Sequence, residues 1–268
     1  MTEISNKKKV AVLYICTGKY NYFFEGFYLS AKKHLLKGVA DVTYFVFTDN
    51  SQLSAEPDVH IIAKEPKGYP LDSLFRFDMF LSIEDQLSQF DYVFFFNANM
   101  VVVDDITSDF LPEEEGLAAV IHPGYYNKPA WRFPYERNKK STAYIPPRQG
   151  RYRYYMGSLN GGKVADFMEL ARICGRNTHI DYDNGIIAEV IDESHLNKYL
   201  RTHSCKGLHP SYAYPEGARL PFKPKIIIRE KSKIDSYFDS SKGRDRSLWG
   251  IAKKACHILG QGIKWYLQ

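Results

Sequence analysis

Residues 92–100 read YVFFFNANM. Five apolar or aromatic residues run without a polar break and then stop at Asn97-Ala98-Asn99. A strand with one wet face would alternate, so an unbroken run of this kind predicts a strand covered on both faces. The same composition recurs at 10–16 (VAVLYIC) and 42–48 (VTYFVFT), and in shorter form at 59–62, 118–122 and 226–229. Between these runs the spacing turns helical. Residues 23–36 place Phe24, Phe27, Tyr28, Ala31 and Leu35 on one face, and residues 73–88 do so with Phe77, Phe80, Leu81 and Leu87. Helices are also expected over 164–174, led in by Asn160 to Gly162, and over 183–190. Strands alternating with helices predict an α/β fold with a mainly parallel central sheet. Ligands of such sheets bind beyond the carboxyl ends of the strands, so polar residues just after a strand are the candidates for chemistry.

The bulk properties narrow the class. The chain has 268 residues, 44% hydrophobic and 25% charged, which suits a globular domain and not a disordered one. A net charge of +5 is mildly basic. It suits an anionic small substrate or an anionic membrane surface, and it is not the profile of a dedicated nucleic-acid binder. The aromatic share is 15%, with 20 Tyr and 17 Phe. These residues fill cores first, and sugar or nucleobase faces second. The four cysteines are widely spaced without a CxxC, which favours free thiols in a reducing compartment. No apolar run approaches the ~18 residues of a membrane span, and the expectation is a soluble cytoplasmic protein. Residues 129–153, rich in Pro, Arg, Lys and Tyr, lack periodicity and read as a long working loop or lid.

The division expected is a catalytic domain over 1–240 and a linker with a basic amphipathic segment over 241–268. In that segment Trp249, Ala252, Cys256, Leu259, Ile263 and Tyr266 fall at helical spacing, with Lys253, Lys254 and Lys264 among them. A helix packed on its own domain and a helix docked peripherally on the inner membrane surface both fit. Gly250, Gly260 and Gly262 weaken either helix.

Several short segments recur in order: YFVFTDN (44–50), FNAN (96–99), HPGYY (122–126), YER (135–137), AYIP (143–146), YYMGSLNGG (154–162), DYDNGIIAE (181–189) and DESHLNKY (192–199). On these motifs, spread over about residues 8–235, the sequence resembles family six of the glycosyltransferases. That is the family of the blood-group A and B transferases and the α-1,3-galactosyltransferases. The resemblance implies a GT-A type nucleotide-sugar-binding fold, a UDP-sugar donor, a glycan acceptor, and retaining α-1,3 transfer to galactose. Vertebrate members carry an N-terminal anchor and stem, and this chain is more similar to the shorter bacterial members.

The resemblance assigns roles residue by residue. Asn97 and Asn99 stand where the family has a metal-binding Asp pair, flanking Ala98. Hard divalent cations favour charged oxygen ligands, so neither a metal nor another cofactor is expected. Lys231 matches a lysine at the donor diphosphate, and a fixed cation there could offset the charge on departing UDP. Glu193 matches the family's essential glutamate, as nucleophile or as stabiliser of an oxocarbenium-like species, and also touches the acceptor. Asp192 and Arg76 match donor-sugar contacts. Ile15, Thr17 and Tyr20 match the uridine end, with Tyr20 stacked on uracil. His122 matches the histidine that binds acceptor galactose. Met156, Gly157 and Ser158 match the segment that tunes donor choice. Small residues at 157 and 158 leave room for an N-acetyl group, whereas Met156 is bulkier than suits it. The balance favours UDP-GalNAc over UDP-Gal, and a fucosylated galactose is the acceptor expected. Val190 and Ile191 replace a Trp-His pair that touches the acceptor in relatives. Three other readings remain at this level: an α-1,3-galactosyltransferase using UDP-Gal, a catalytically silent relative that only binds nucleotide-sugar or glycan, and a membrane-surface adaptor resting only on the C-terminal segment.

Overall fold

The computed structural model of the chain describes residues 7–238, 259–260 and 262–267. The expected linker, and the helical spacing through Trp249, Ala252 and Cys256, lie outside the described residues.

The first half alternates as expected. β1 (Lys8–Ile15) leads through a 3-10 turn into α1 (Phe24–His34), then β2 (Ala40–Thr48) and β3 (Val59–Ala63). The single helix expected over 73–88 is instead three short ones: α2 (Leu71–Leu74), α3 (Arg76–Leu81) and α4 (Glu84–Leu87). β4 (Tyr92–Phe96) and β5 (Met100–Val102) flank the Asn-Ala-Asn turn, and β6 (Leu117–Ile121) follows. β7 (Tyr155–Lys163) precedes the long α5 (Val164–Asp183) and α6 (Ile191–Tyr199). Three short strands close the chain's order: β8 (Lys206–Leu208), β9 (Tyr214–Pro215) and β10 (Ile226–Ile228).

Seven strands form the main sheet in the order β3-β2-β1-β4-β7-β6-β8. All run one way except β7, which is antiparallel to both β4 and β6. A small second sheet, β5-β10-β9, carries the chain away from the Asn-Ala-Asn turn. The unbroken apolar strands have the reason expected of them. Val10, Val12 and Tyr14 of β1 enter one core with Phe24, Phe27 and Ala31 of α1. Ala11 and Leu13 enter the opposite core with Phe77 and Phe80 of α3 and Phe167, Met168 and Ala171 of α5. β4 divides the same way, Phe94 and Phe96 to one side and Val93 and Phe95 to the other.

The expectations around β7 hold only in part. Asn160 to Gly162 leads into α5 as expected, though these residues are the end of a strand and not a helical turn. Residues 183–190 are not a helix, because α5 runs on past residue 174 and stops there. Gly185 adopts φ 71°, a left-handed conformation that ends a helix, and the Asn184 side chain caps the Ile180 carbonyl at 2.7 Å. Residues 129–153 are not a free lid. They collapse around a third core of Phe133, Tyr135, Ile145 and Tyr154. Asp181 of α5 anchors them, accepting from Ser141 Oγ at 2.5 Å and Thr142 N at 2.8 Å. The described end of the C-terminal segment packs there too. Trp265 is fully buried against Tyr135 and Tyr152, and its indole N–H donates to the Ile145 carbonyl at 2.8 Å.

Gly161 lets β7 lie against β4. A Cβ at this position would sit 2.2 Å from the Val93 carbonyl oxygen and 2.5 Å from the Phe94 ring. Gly161→Ala should cost about 3 kcal/mol and lower the thermal midpoint by about 6–12 °C, read by calorimetry or circular dichroism. An unchanged midpoint would mean that the two strands can separate freely.

Candidate functional site

The carboxyl ends of β1, β2 and β4 meet the start of β7, and most of the sequence-predicted site residues gather at that edge. Ile15 closes β1 and packs on the second core. Thr17 begins the 3-10 turn, its carbonyl accepting from Tyr20 N at 3.1 Å. Asp49, directly after β2, fixes this turn by accepting from Gly18 N at 3.0 Å and Asn21 Nδ2 at 2.9 Å. Those bonds hold its carboxyl below the usual carboxylate range. Lys231 reaches across from a late 3-10 turn, and its Nζ donates to Tyr20 Oη at 3.0 Å. The Phe238 ring stands edge-on to Tyr20 at 4.8 Å.

The Asn-Ala-Asn turn is pinned from three sides. Tyr14 Oη donates to the Ala98 carbonyl at 2.6 Å, and Asn97 N–H donates to the Ser158 carbonyl at 2.9 Å. Asn99 is buried. Its Oδ1 accepts from Asn97 Nδ2 at 3.0 Å, and its own Nδ2 donates to the Arg229 carbonyl at 2.7 Å. Both polar atoms of Asn99 are therefore spent inside the protein. This turn links β4, β7 and the strand that delivers Lys231.

Glu193 is the electrostatic centre. It lies in the first turn of α6 with both oxygens engaged, Oε1 by the Tyr154 hydroxyl and Oε2 by Gly157 N–H at 2.6 Å. α6 is locked against β7 by Asn197, whose amide accepts from Tyr155 N at 2.9 Å and donates to the Tyr155 carbonyl at 2.8 Å. Burial pushes Glu193 up to about 7, and neighbouring Asp192 adds to this. Gly157, Tyr154 and Arg76 pull the other way without cancelling it. Asp192 is buried and also raised by burial, with Arg76 opposing at 3.2 Å. Arg76, at the head of α3, rests over the Phe95 ring at 4.6 Å and donates to the Gly157 carbonyl at 3.3 Å. Arg76, Gly157, Asp192 and Glu193 thus form one cluster. The Ser158 hydroxyl beside it is buried and makes no hydrogen bond among the described residues. Met156 packs at the edge of the first core.

His122 follows β6. Its Nδ1 accepts from Gly124 N–H at 2.9 Å, so the neutral ring carries its proton on Nε2. Burial holds its pKa down at about 4, so the ring is neutral at ordinary pH. The ring stands 5.8 Å from that of Tyr154, which connects it to Glu193.

The structure adds residues that sequence reasoning did not assign. Tyr154 was visible only as part of YYMGSLNGG. Asp49 did carry a signal, since it is a polar residue directly after a buried strand. A wider cleft of about 580 Å³ opens at the opposite end of the sheet, beside Lys8, Asp91 and Lys163. It contains none of these residues.

Fold and site together have the form of a nucleotide-sugar transferase, and the comparisons with known proteins agree. The sequence model described as "Glycosyltransferase family 6" matches residues 4–234. The chain belongs to that family. It is 39% identical over 236 residues to "O-antigen biosynthesis glycosyltransferase WbnI" of Escherichia coli, covering 87% of this chain and 99% of that protein. It is 34% identical to "Globoside alpha-1,3-N-acetylgalactosaminyltransferase 1" of Gallus gallus, covering 85% of this chain and 68% of the relative. It is 33% identical to "Histo-blood group ABO system transferase 1" of Rattus norvegicus, covering 74% and 58%. The chain is thus a glycosyltransferase, and its globoside relative is named for α-1,3 transfer.

Glu193 should titrate near 7 when followed by ¹³C NMR on glutamate-labelled protein. Tyr154→Phe removes one bond that favours the carboxylate, so its midpoint should move upward. A midpoint at the ordinary glutamate value would contradict the buried placement of the carboxyl.

Proposed function

We propose that the chain transfers N-acetylgalactosamine from UDP-GalNAc to O3 of a galactose acceptor, with retention and without a metal ion. The observation that carries this reading is Glu193, held by Tyr154 and Gly157 beside the Arg76–Asp192 pair. A carboxylate positioned from both oxygens can face the anomeric carbon as nucleophile, forming a glycosyl-enzyme as UDP leaves. Acceptor O3 then attacks from the opposite side, giving its proton to a phosphate oxygen of the UDP released in the first step, and Glu193 is freed as the carboxylate. In a front-face reaction the same carboxylate would instead stabilise an oxocarbenium-like centre. The intact arrangement around Glu193 favours turnover over silent binding.

Arg76 and Asp192 are placed to hold donor hydroxyls. Ser158, with its unengaged hydroxyl, and Gly157, without a side chain, border the space for the group on sugar C2. The globoside N-acetylgalactosaminyltransferase named above supports this donor, while Met156 keeps UDP-Gal as the alternative. His122 would donate from Nε2 to the acceptor galactose. Tyr20, Thr17 and Ile15 border the uridine end, and Lys231 supplies the cation nearest to it.

The metal that GT-A folds commonly use does not fit this turn. Asn97 and Asn99 are neutral amides, and the Asn99 oxygen already accepts a hydrogen bond from Asn97. No step is therefore assigned to an ion, and Lys231 takes the role of offsetting the UDP charge. Among the described residues no helix is long and apolar enough to cross a membrane. Contact with a membrane surface is supported by Leu259, Ile263 and Leu267, exposed at four-residue spacing opposite buried Trp265.

Transfer from UDP-GalNAc and UDP-Gal to 2′-fucosyllactose and lactose, each with EDTA, tests donor, acceptor and metal together. Full activity in EDTA is expected, and loss that Mn²⁺ restores would overturn the metal-free reading. Glu193→Gln should reduce transfer by about 10²–10⁴-fold while UDP affinity holds. The reaction uses the carboxylate, so kcat/KM should rise with pH through about 7 and level above it.

A further inference from the structure

Tyr154, whose hydroxyl bonds Glu193, also lines a pocket of about 260 Å³. It is smaller than the ~300–1,000 Å³ that encloses a whole drug-sized ligand, so it suits part of a larger substrate. Tyr125, Tyr152 and Tyr154 are among its walls, and Lys128, Arg151 and Arg153 also line it. No Asp or Glu does. Lys128, Arg151 and Arg153 form no ion pair among the described residues. Aromatic walls suit the apolar faces of sugar rings. Three cations without a carboxylate beside them leave local positive charge that an anion would satisfy.

The pocket is built and not a gap between loose side chains. Tyr152 Oη donates to the Pro146 carbonyl at 2.8 Å, and its ring rests on buried Trp265. Tyr135 Oη holds the Arg153 carbonyl at 2.7 Å. The Arg201 guanidinium covers Tyr152 at 4.2 Å from the ring centre. The pocket also shares walls with the candidate acceptor site. Tyr154 serves both, and the Tyr125 ring lies tilted beside His122, 4.6 Å between centres.

We infer that this pocket is an extended acceptor subsite for a sugar bearing a carboxylate or a phosphate, one unit beyond the galactose that receives the transferred sugar. The inference rests on the acceptor-side reading of His122 and Glu193. Half-buried Tyr125 and exposed Tyr126 take the ring, over a floor closed by buried Tyr154, and Lys128 and Arg151 take the anion at the mouth. Arg153, which also lies against Gly207 beside Tyr155, closes the positive rim.

Three β-galactosides test it, joined to glucose, to glucuronic acid, and to glucose 1-phosphate. KM for each is measured with saturating donor, and binding of each is measured by calorimetry with UDP present. At least one charged acceptor should show a KM about tenfold below the neutral one, the size of a charge-assisted hydrogen bond. That advantage should shrink with added salt. In Lys128→Ala/Arg151→Ala the ratio of neutral to charged KM should fall to about one, with folding checked by UDP affinity. Preference for glucuronate identifies an acidic sugar as the source, and preference for the phosphate identifies a phosphorylated linkage. Equal KM values, or a preference that survives in the double variant, would overturn the inference. If no acceptor is glycosylated but a charged one binds and loses affinity in the double variant, the subsite stands and the transfer reading fails. If none binds or reacts, the subsite is refuted.

Discussion

Strand β7 runs antiparallel to its neighbours, and Gly161 and Gly162, which present no side chains, let it lie close against them. A Cβ on Gly162 would lie 2.1 Å from the Gly116 carbonyl, as one on Gly161 would meet Val93. Two backbones therefore close on β7 from either side. The reversed direction brings the beginning of β7, Tyr155 to Ser158, to the edge where β1 and β4 end. The Ser158 carbonyl there takes the N–H of Asn97, and Gly157 reaches Glu193 with its N–H and Arg76 with its carbonyl. The Asn97 turn, Glu193 and Arg76 are thus all tied to this one strand.

Burial sets the charge states at that edge. Two adjacent carboxyl groups, Asp192 and Glu193, sit out of water with Arg76 as the cation near both. Arg76 at 3.2 Å favours the charged form of Asp192, and the peptide N–H and the phenol do the same for Glu193. Neither set of partners overcomes desolvation, so both stay raised. A carboxyl near 7 is poised to change protonation within the working range. His122, pressed down to about 4, is not. The two sides of the site thus differ in kind, one titratable and one fixed as a neutral donor.

The strands of the first half were legible because both faces are buried, so hydrophobicity alone marks them. β7 was not, because YMGSLNGGK is glycine-rich and polar where its backbone approaches others closely. The length of α5 was hidden in GRNTHIDYD, which holds few apolar residues although Thr178 and Asp181 are buried. α6 buries Asp192, Ser194, His195 and Asn197, polar residues that periodicity counts as exposed. Motif resemblance named candidate residues where periodicity could not. It gave Arg76, Asp192 and Glu193 as separate contacts, and the structure joins them through Gly157. It did not indicate Tyr154, whose partner lies 39 residues away in sequence. Nor did it show that Asn99 is occupied by Arg229.

Gly157 has a consequence for how such an enzyme can change its substrate. Its N–H fixes Glu193, and a Cβ there would lie 3.2 Å from Glu193 Cβ and 3.4 Å from an Asp192 oxygen. Any larger residue here would press on both carboxyl side chains, so the volume beside position 157 and the placement of Glu193 and Asp192 cannot be altered independently.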